Sequence, residues 1–329
     1  MRVDVRVGPA GWSYEDWRKI VYPTPRPSGF HEAEYLAGYF PLIEINTSFY
    51  RPLRAELSRL WIRKAEKHPR FQFTAKLYKG FTHDRRLDRE EIRTFCDGLA
   101  PLADAGRLGC VLMQFPWSFR FNRENRDFLS KVSRAFGHYP LVAEVRHTSW
   151  NCDEGLDAFI DNRLGFCNID QPQLDHCLPP TAHVTSPIGY VRLHGRNHQE
   201  WFNFGSDDSE FRAARDSHAR YDYLYNPAQL AKWKDRIEQI AGRARTTYVV
   251  TNNCARGKAV VNALQLASML AEEPVEVPAE LLSNYPELRS IARNAPAQGN
   301  LFSMPPARKV SSESRPGRPV LVKAAGGSR

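Results

Sequence analysis

Eight short apolar runs, each separated from the next by a few tens of residues at most, leave this chain very few architectures. They are "VDVRV" (3–7), "LIEIN" (42–46), "FQFTAKL" (71–77), "CVLMQF" (110–115), "LVAEV" (141–145), "LGFCNI" (164–169), "IGYVRLH" (188–194) and "TYVVTN" (247–252). Their length and their bias toward Val, Ile, Leu and Phe mark strands. Between them lie segments of helical periodicity: "REEIRTFCDGLAPLADAG", "NRENRDFLSKVSRAFG", "DEGLDAFIDNR", "NPAQLAKWKDRIEQIAG" and "GKAVVNALQLASML". Leu156, Phe159 and Ile160 recur at helical spacing in the third, Val260, Leu264 and Ala267 in the last. Strands that alternate with helices build right-handed βαβ units on a parallel sheet. Eight such units predict an α/β fold, a (β/α)8 TIM-type barrel, over residues 1–295. The connection 170–187 is Pro-rich and shows no helix, the one interruption of the pattern. A doubly wound open sheet is the alternative, but the Gly-rich dinucleotide fingerprint is missing after the first strand, and with it any sign of a cofactor.

The strand ends are where the chemistry collects. Barrels of this kind carry their sites at the C-terminal ends of the strands. Here those ends bring Glu44 and Asn46, Lys76, Gln114, Glu144 and Arg146, Asp170, Arg192 and His194, then Asn252 and Asn253. Side chains alternate along a strand, so Glu44 pairs with Asn46, Glu144 with Arg146 and Arg192 with His194 on shared faces. A carboxylate inside an apolar strand is costly unless paired or put to use. Each group also has a structural reading: an ion pair for Glu144 and Arg146, a hydrogen-bonded core residue for His194, an outward-reaching cation for Lys76, and turn residues for Asn252 and Asn253.

Apolar and charged fractions of 42% and 25% are those of an ordinary globular protein, and no apolar run approaches the roughly 18 residues of a membrane span. The start "MRVDVRVGPAGW" reads as a first strand rather than a signal peptide, so a cytoplasmic protein is expected. The six cysteines form no C-x-x-C pair and read as buried thiols. Of the net charge of +9, residues 303–329 supply +5, six cations against Glu313. Residues 296–329 are rich in Pro, Ser and Gly and predict a disordered basic tail. Within it "QGNLF" is similar to the Q-L-x-L-F peptide that docks on bacterial sliding clamps, with Gln298, Leu301 and Phe302 as the contacts and Gly299 in place of an apolar anchor.

The blocks "GPAGWSYEDWRKIVYP" (8–23), "YFPLIEINTSFYR" (39–51), "FTAKLYKGFTH" (73–83), "LGCVLMQFPWSF" (108–119), "VAEVRHTSW" (142–150), "YVRLHGR" (190–196), "YDYLY" (221–225) and "NNCARGKAVVNALQL" (252–266) occur in this order. On them the sequence resembles the YecE-like proteins, the family of domain of unknown function seventy-two, from about residue 6 to 270. The resemblance implies a TIM-type barrel and no established reaction. The departures, "PAGW" for "TSGW" and "FPWSF" for "LPPSF", remove no ionisable group. The same blocks add Trp12, Tyr14, Trp17 and Tyr22 as aromatic walls, and Tyr50, His83 and Trp150 from loops on the same rim. Each of these aromatics has packing as its alternative.

Three functions fit these residues. The first is acid–base chemistry, without a cofactor, on a small phosphorylated or carboxylated substrate. Lys76, Arg146, Arg192 and Arg196 would hold the anion, Glu44 or Glu144 would act as base, and His194 or His83 as acid. Trp12, Tyr14, Asn46, Tyr50, Gln114, Asn252 and Asn253 would complete the binding surface. The second is a metal-dependent hydrolase with Glu44, Glu144, Asp170 and His194 as ligands, against which stand the surrounding cations and the lack of an H-x-H or H-E-x-x-H spacing. The third is a nucleic-acid-related protein, drawing on the basic rim, its aromatics and the tail, recruited to the sliding clamp through residues 298–302.

Overall fold

A computed structural model describes residues 4–197 and 220–293. The eight strands are β1 (Asp4–Pro9), β2 (Leu42–Ile45), β3 (Gln72–Lys76), β4 (Leu108–Gln114), β5 (Leu141–Glu144), β6 (Gly165–Asp170), β7 (Ile188–Leu193) and β8 (Thr246–Thr251). All are parallel, in the order β1-β8-β7-β6-β5-β4-β3-β2. The ring is nearly closed by β1 against β2. There the backbone of Gly11 donates to the carbonyl of Glu44 at 2.9 Å, and Ala10 bridges Glu44. Gly8 makes that seam possible, since a Cβ at its position would fall 1.8 Å from the Leu42 carbonyl oxygen.

Parallel strands in a barrel are covered on both faces, which is why they read as apolar runs; all seven residues of β4 are buried. Outside the ring lie α1 (Glu32–Ala37), the one-turn α2 (Thr47–Tyr50), α3 (Ala55–Lys64), the one-turn α4 (Lys79–Thr82), α5 (Arg89–Asp104), α6 (Arg123–Phe136), α7 (Asp153–Asp161), α8 (Pro227–Ala241), α9 (Lys258–Ala271) and α10 (Ala279–Asn284). The long helices start where local chemistry tells them to. Asp88 accepts from the amides of Glu90 and Glu91, Asn122 from that of Asn125, and Asn226 with Gln229 forms a reciprocal capping box ahead of Pro227. Each then buries an apolar stripe, as α6 does with Leu129, Val132 and Phe136.

The connection from β6 to β7 has no helix, and the barrel forms without it. Buried Asn168 takes over: its Oδ1 accepts from Thr181 Oγ1 at 2.8 Å and His183 N at 2.7 Å, and its Nδ2 donates to the His183 carbonyl at 2.9 Å. One side chain thereby satisfies backbone that a helix would otherwise have paired. The segment 198–219 and the tail, with Gln298, Leu301 and Phe302, lie outside the described residues. Among the described residues no helix is long and apolar enough to cross a membrane.

Candidate active site

Side chains from strands on opposite sides of the ring reach one another only if they point into the barrel, and at the C-terminal half of the strands several do. Arg192 on β7 lies at the centre. Its Nη2 donates to Glu44 Oε1 on β2 at 2.6 Å, and its Nη1 to Glu144 Oε2 on β5 at 2.7 Å and to Gln114 Oε1 on β4 at 3.2 Å. Arg192, Glu44 and Glu144 are all fully buried. Tyr190, two residues earlier on the same face of β7, donates to Glu44 Oε2 at 2.9 Å, and Thr74 lies 3.0 Å from the Tyr190 hydroxyl. Because the Tyr190 proton goes to the carboxylate, the Thr74 hydroxyl is the donor in that pair.

Glu144 also receives Arg146 Nε at 3.0 Å, and His194 Nε2 lies 3.3 Å from the same Oε1. The Asn252 amide nitrogen stands 3.0 Å from His194 Nδ1, so that nitrogen accepts and the imidazole proton sits on Nε2, facing Glu144. Burial, helped by the nearby arginines, lowers the His194 pKa to about 4, against a raising pull from Glu144, which leaves the ring neutral near pH 7. Burial would raise Glu144, but Arg192, His194 and Arg146 outweigh it and hold its carboxyl well below the usual range. Arg192 is raised in turn by Glu44 and Glu144 against the cost of its burial.

Above this sealed tier lies a second one, built on the buried ring of Phe49. The Lys76 ammonium stands 4.0 Å from the Phe49 centroid, and the His83 ring meets it edge-on at 5.1 Å. Exposed Tyr50 packs on the same ring at 5.3 Å. His83 Nδ1 is 2.9 Å from Thr82 Oγ1; burial first, then the charges of Arg146, Lys76 and Lys79, bring its pKa to about 3. The two tiers meet at Arg146, whose side chain is 11% exposed while Glu144 beneath it is fully buried. With both histidines neutral, the formal charges of Lys76, Arg146 and Arg192 exceed those of Glu44 and Glu144 by one.

Other expected members of the site are placed elsewhere. Asp170 turns outward and accepts from Arg196 Nε at 3.1 and 3.0 Å and from Trp233 Nε1 on α8 at 3.0 Å, so Arg196 is engaged with the carboxylate that holds that helix. Asn253 donates to the Tyr223 carbonyl and to Asn262 on α9. Trp12 packs edge-on against Trp61 of α3 at 5.0 Å, between sheet and helix. Trp17 donates to the Cys254 carbonyl at 2.6 Å, Tyr22 to that of Trp12, and Trp150 to that of Phe119 at 2.7 Å, all three fully buried. These aromatics are core, chosen where a polar tip finds a partner. Asn46 and Tyr14 stay at the mouth: Asn46 Nδ2 donates to the Tyr14 hydroxyl at 3.3 Å.

The metal-ligand set is not assembled. A guanidinium fills the space between Glu44 and Glu144, and Asp170 faces away. Among the described residues no three His, Cys, Asp or Glu side chains are grouped to hold an ion. Arg192 likewise has a different task from anion binding: both its terminal nitrogens are spent on internal carboxylates.

Comparison with known proteins gives a consistent picture. A profile of the family described as "Protein of unknown function DUF72" matches residues 6–286. The chain is 27% identical over 284 residues to UPF0759 protein YunF of Bacillus subtilis, covering 81% of this chain and 94% of that one. Among solved structures, a DUF72 family protein of Thermotoga maritima is similar at 30% identity and a TM-score of 0.66, over 82% of this chain and 99% of that one. A DUF72 family protein of Enterococcus faecalis is similar at 25% identity and 0.68, over 81% and 95%.

Proposed function

The chain belongs to the DUF72 family, a family of TIM-type barrels without an assigned reaction, and on that premise we propose that it is a cytoplasmic enzyme performing acid–base chemistry on a small anionic substrate at the C-terminal mouth of the barrel. The observation that carries this reading is the contact of Arg146 with Glu144, a rim cation shared with a buried carboxylate. Lys76 and Arg146 hold the anion. Arg192 fixes both carboxylates, and His194, oriented by Asn252, presents its proton to Glu144.

Glu144 is a weak base in the free protein, because three neighbours favour its ionised form. A substrate anion drawn to Arg146 adds negative charge beside Glu144 and takes part of the guanidinium's attention. Both effects raise the carboxylate's proton affinity, so binding itself readies the base. Neutral His83 at the rim offers an N–H that can polarise the reacting oxygen by hydrogen bonding. Hydrolysis, isomerisation and elimination can all use a base with an electrophilic N–H, the proton returning from the protonated Glu144. A nucleic-acid reading draws less support from the mouth, since Trp12, Trp17, Tyr22 and Trp150 are core residues rather than stacking platforms.

The test is a thermal-shift panel of phosphorylated and carboxylated small molecules, followed by turnover assays on those that bind. Native-state binding raises the melting temperature by mass action. The expected result is stabilisation of the wild type by inorganic phosphate and by at least one organic anion, lost in Lys76→Met and Arg146→Met. Increments that survive both changes would remove the anion site from the mouth, and Glu144→Gln with undiminished turnover would remove the base.

A further inference from the structure

Two amide side chains at the mouth have a feature in common that neither ion tier explains. Asn46 follows β2, and its Nδ2 donates to the Tyr14 hydroxyl. Tyr14 has one proton, and it goes to the Ala10 carbonyl at 2.8 Å, an atom that can only accept. The Tyr14 oxygen therefore faces Asn46 as an acceptor, and the amide cannot turn over. Asn46 Oδ1 is left buried with no protein partner among the described residues. Gln171 follows β6 and repeats the arrangement. Its Nε2 donates to the Arg146 carbonyl at 3.0 Å and the Leu178 carbonyl at 3.3 Å, again acceptor-only atoms. Gln171 is fully buried, and its Oε1 has no partner among the described residues.

Buried carbonyl oxygens without a donor are rare and costly, on the order of 1–3 kcal/mol each. Three amide oxygens among the described residues are in this state, Asn46 Oδ1, Gln171 Oε1 and Asn253 Oδ1, and the first two, at ends of strands four places apart in an eight-membered ring, call for donors beyond the described residues. Between them around the ring lie β3, β4 and β5; Lys76 ends β3 and Arg146 follows β5 by two residues. We infer that Asn46 and Gln171 are fixed acceptors for ligand hydroxyl groups, so that the substrate is a polyhydroxylated anion: a sugar phosphate or sugar acid. This rests on the anion-site reading and adds what that reading leaves open. A bare anion satisfies Lys76 and Arg146 alone; a hydroxylated one also satisfies the two amides. Gln171 has a second part, since the carbonyl it holds belongs to Arg146 itself, which ties the hydroxyl acceptor to the rim cation.

The experiment titrates wild type and Asn46→Leu with inorganic phosphate, ribose 5-phosphate, 2-deoxyribose 5-phosphate and gluconate by calorimetry. Asn46 makes no side-chain cap bond to the helix it precedes, so the leucine variant keeps the turn. The expected result is that ribose 5-phosphate or gluconate binds wild type roughly three- to tenfold tighter than inorganic phosphate, the size of about one neutral hydrogen bond. That advantage shrinks in Asn46→Leu while phosphate affinity stays the same. The comparison of ribose with deoxyribose phosphate on wild type repeats the test from the ligand side, with no variant needed. Which of the two hydroxylated probes wins identifies phosphate or carboxylate as the anion. An advantage that is absent, or that persists unchanged in the variant and in the deoxy compound, overturns the assignment of the amides while leaving the anion site standing. Failure of every anion to bind wild type overturns both.

Discussion

Arg192 and Arg146 are the same residue type two strands apart on one barrel mouth, touching the same carboxylate, yet they are in different physical situations. Arg192 is sealed, with Glu44 and Glu144 on its two nitrogens and no contact with solvent. Arg146 touches Glu144 from above and keeps some of its surface exposed. A sealed cation whose partners are all internal is committed to holding the barrel's inner layer in one arrangement. A cation at the boundary can exchange an internal partner for an external one at little cost. The contrast teaches that burial, rather than residue type, decides which arginine of a charged mouth is available to a ligand.

The largest effect expected from this contrast is on stability. Arg192→Met should leave buried Glu44 without a cation and Glu144 with Arg146 alone, and cost about 3–5 kcal/mol in denaturant unfolding. Arg146→Met should cost less, about 1–3 kcal/mol, since Glu144 keeps Arg192 as a partner. Equal losses would erase the distinction between the tiers. Replacing Arg192, Glu44 and Glu144 together by Met, Gln and Gln should recover most of the loss of the single change, because the penalty lies in the unpaired charges.

Next in size is a dependence on pH. His194 is held neutral in the folded protein, with its pKa lowered to about 4, whereas the unfolded chain protonates near 6.5. The unfolded state therefore binds more protons between those values, and stability falls as pH drops from about 6.5 to about 4. The His194 share is on the order of 3 kcal/mol. Glu144 adds a further loss below the ordinary carboxylate range, as pH falls through its depressed value. His194→Gln should flatten the upper part of this acid limb and leave the lower part. An unchanged slope between pH 6.5 and 4 would place the imidazole in a wetter setting than the sealed tier.

The smallest stability effect belongs to the rim. Lys76→Met should change unfolding by about 2 kcal/mol or less, the worth of a desolvated cation–π contact, since Lys76 is buried against Phe49. A change of several kcal/mol would make Lys76 a member of the sealed tier.

Much of this molecule is legible in its sequence, and the rest is hidden for one reason. The eight strands, α5 to α9 and the missing helix after β6 follow from periodicity, since each is a local property; α1 and α3 do not. Period two also places Arg192 with His194, and it would have brought in Tyr190, which precedes Arg192 by two and donates to Glu44. What the sequence does not carry is register between strands. Asp170 was expected at the rim with Arg192, but it is paired with Leu193, so it faces the helices and not the barrel. Trp12 and Asn253, beyond the ends of β1 and β8, are likewise turned to α3 and α9. The Glu44–Arg192 bond joins residues 148 apart, and no local pattern announces it. Gln171 and Phe49 give no local signal either; their roles arise only once the Arg146 carbonyl and the Lys76 ammonium have been brought to them.

The claim that ligand binding at Arg146 readies Glu144 is tested most directly by titrating the Glu144 carboxyl carbon by NMR, in free protein and in saturating phosphate. The account predicts a value well below 4.5 in the free protein that rises toward the ordinary range with phosphate bound, and no such rise in Arg146→Met. A Glu144 titration that is the same with and without bound phosphate would contradict it.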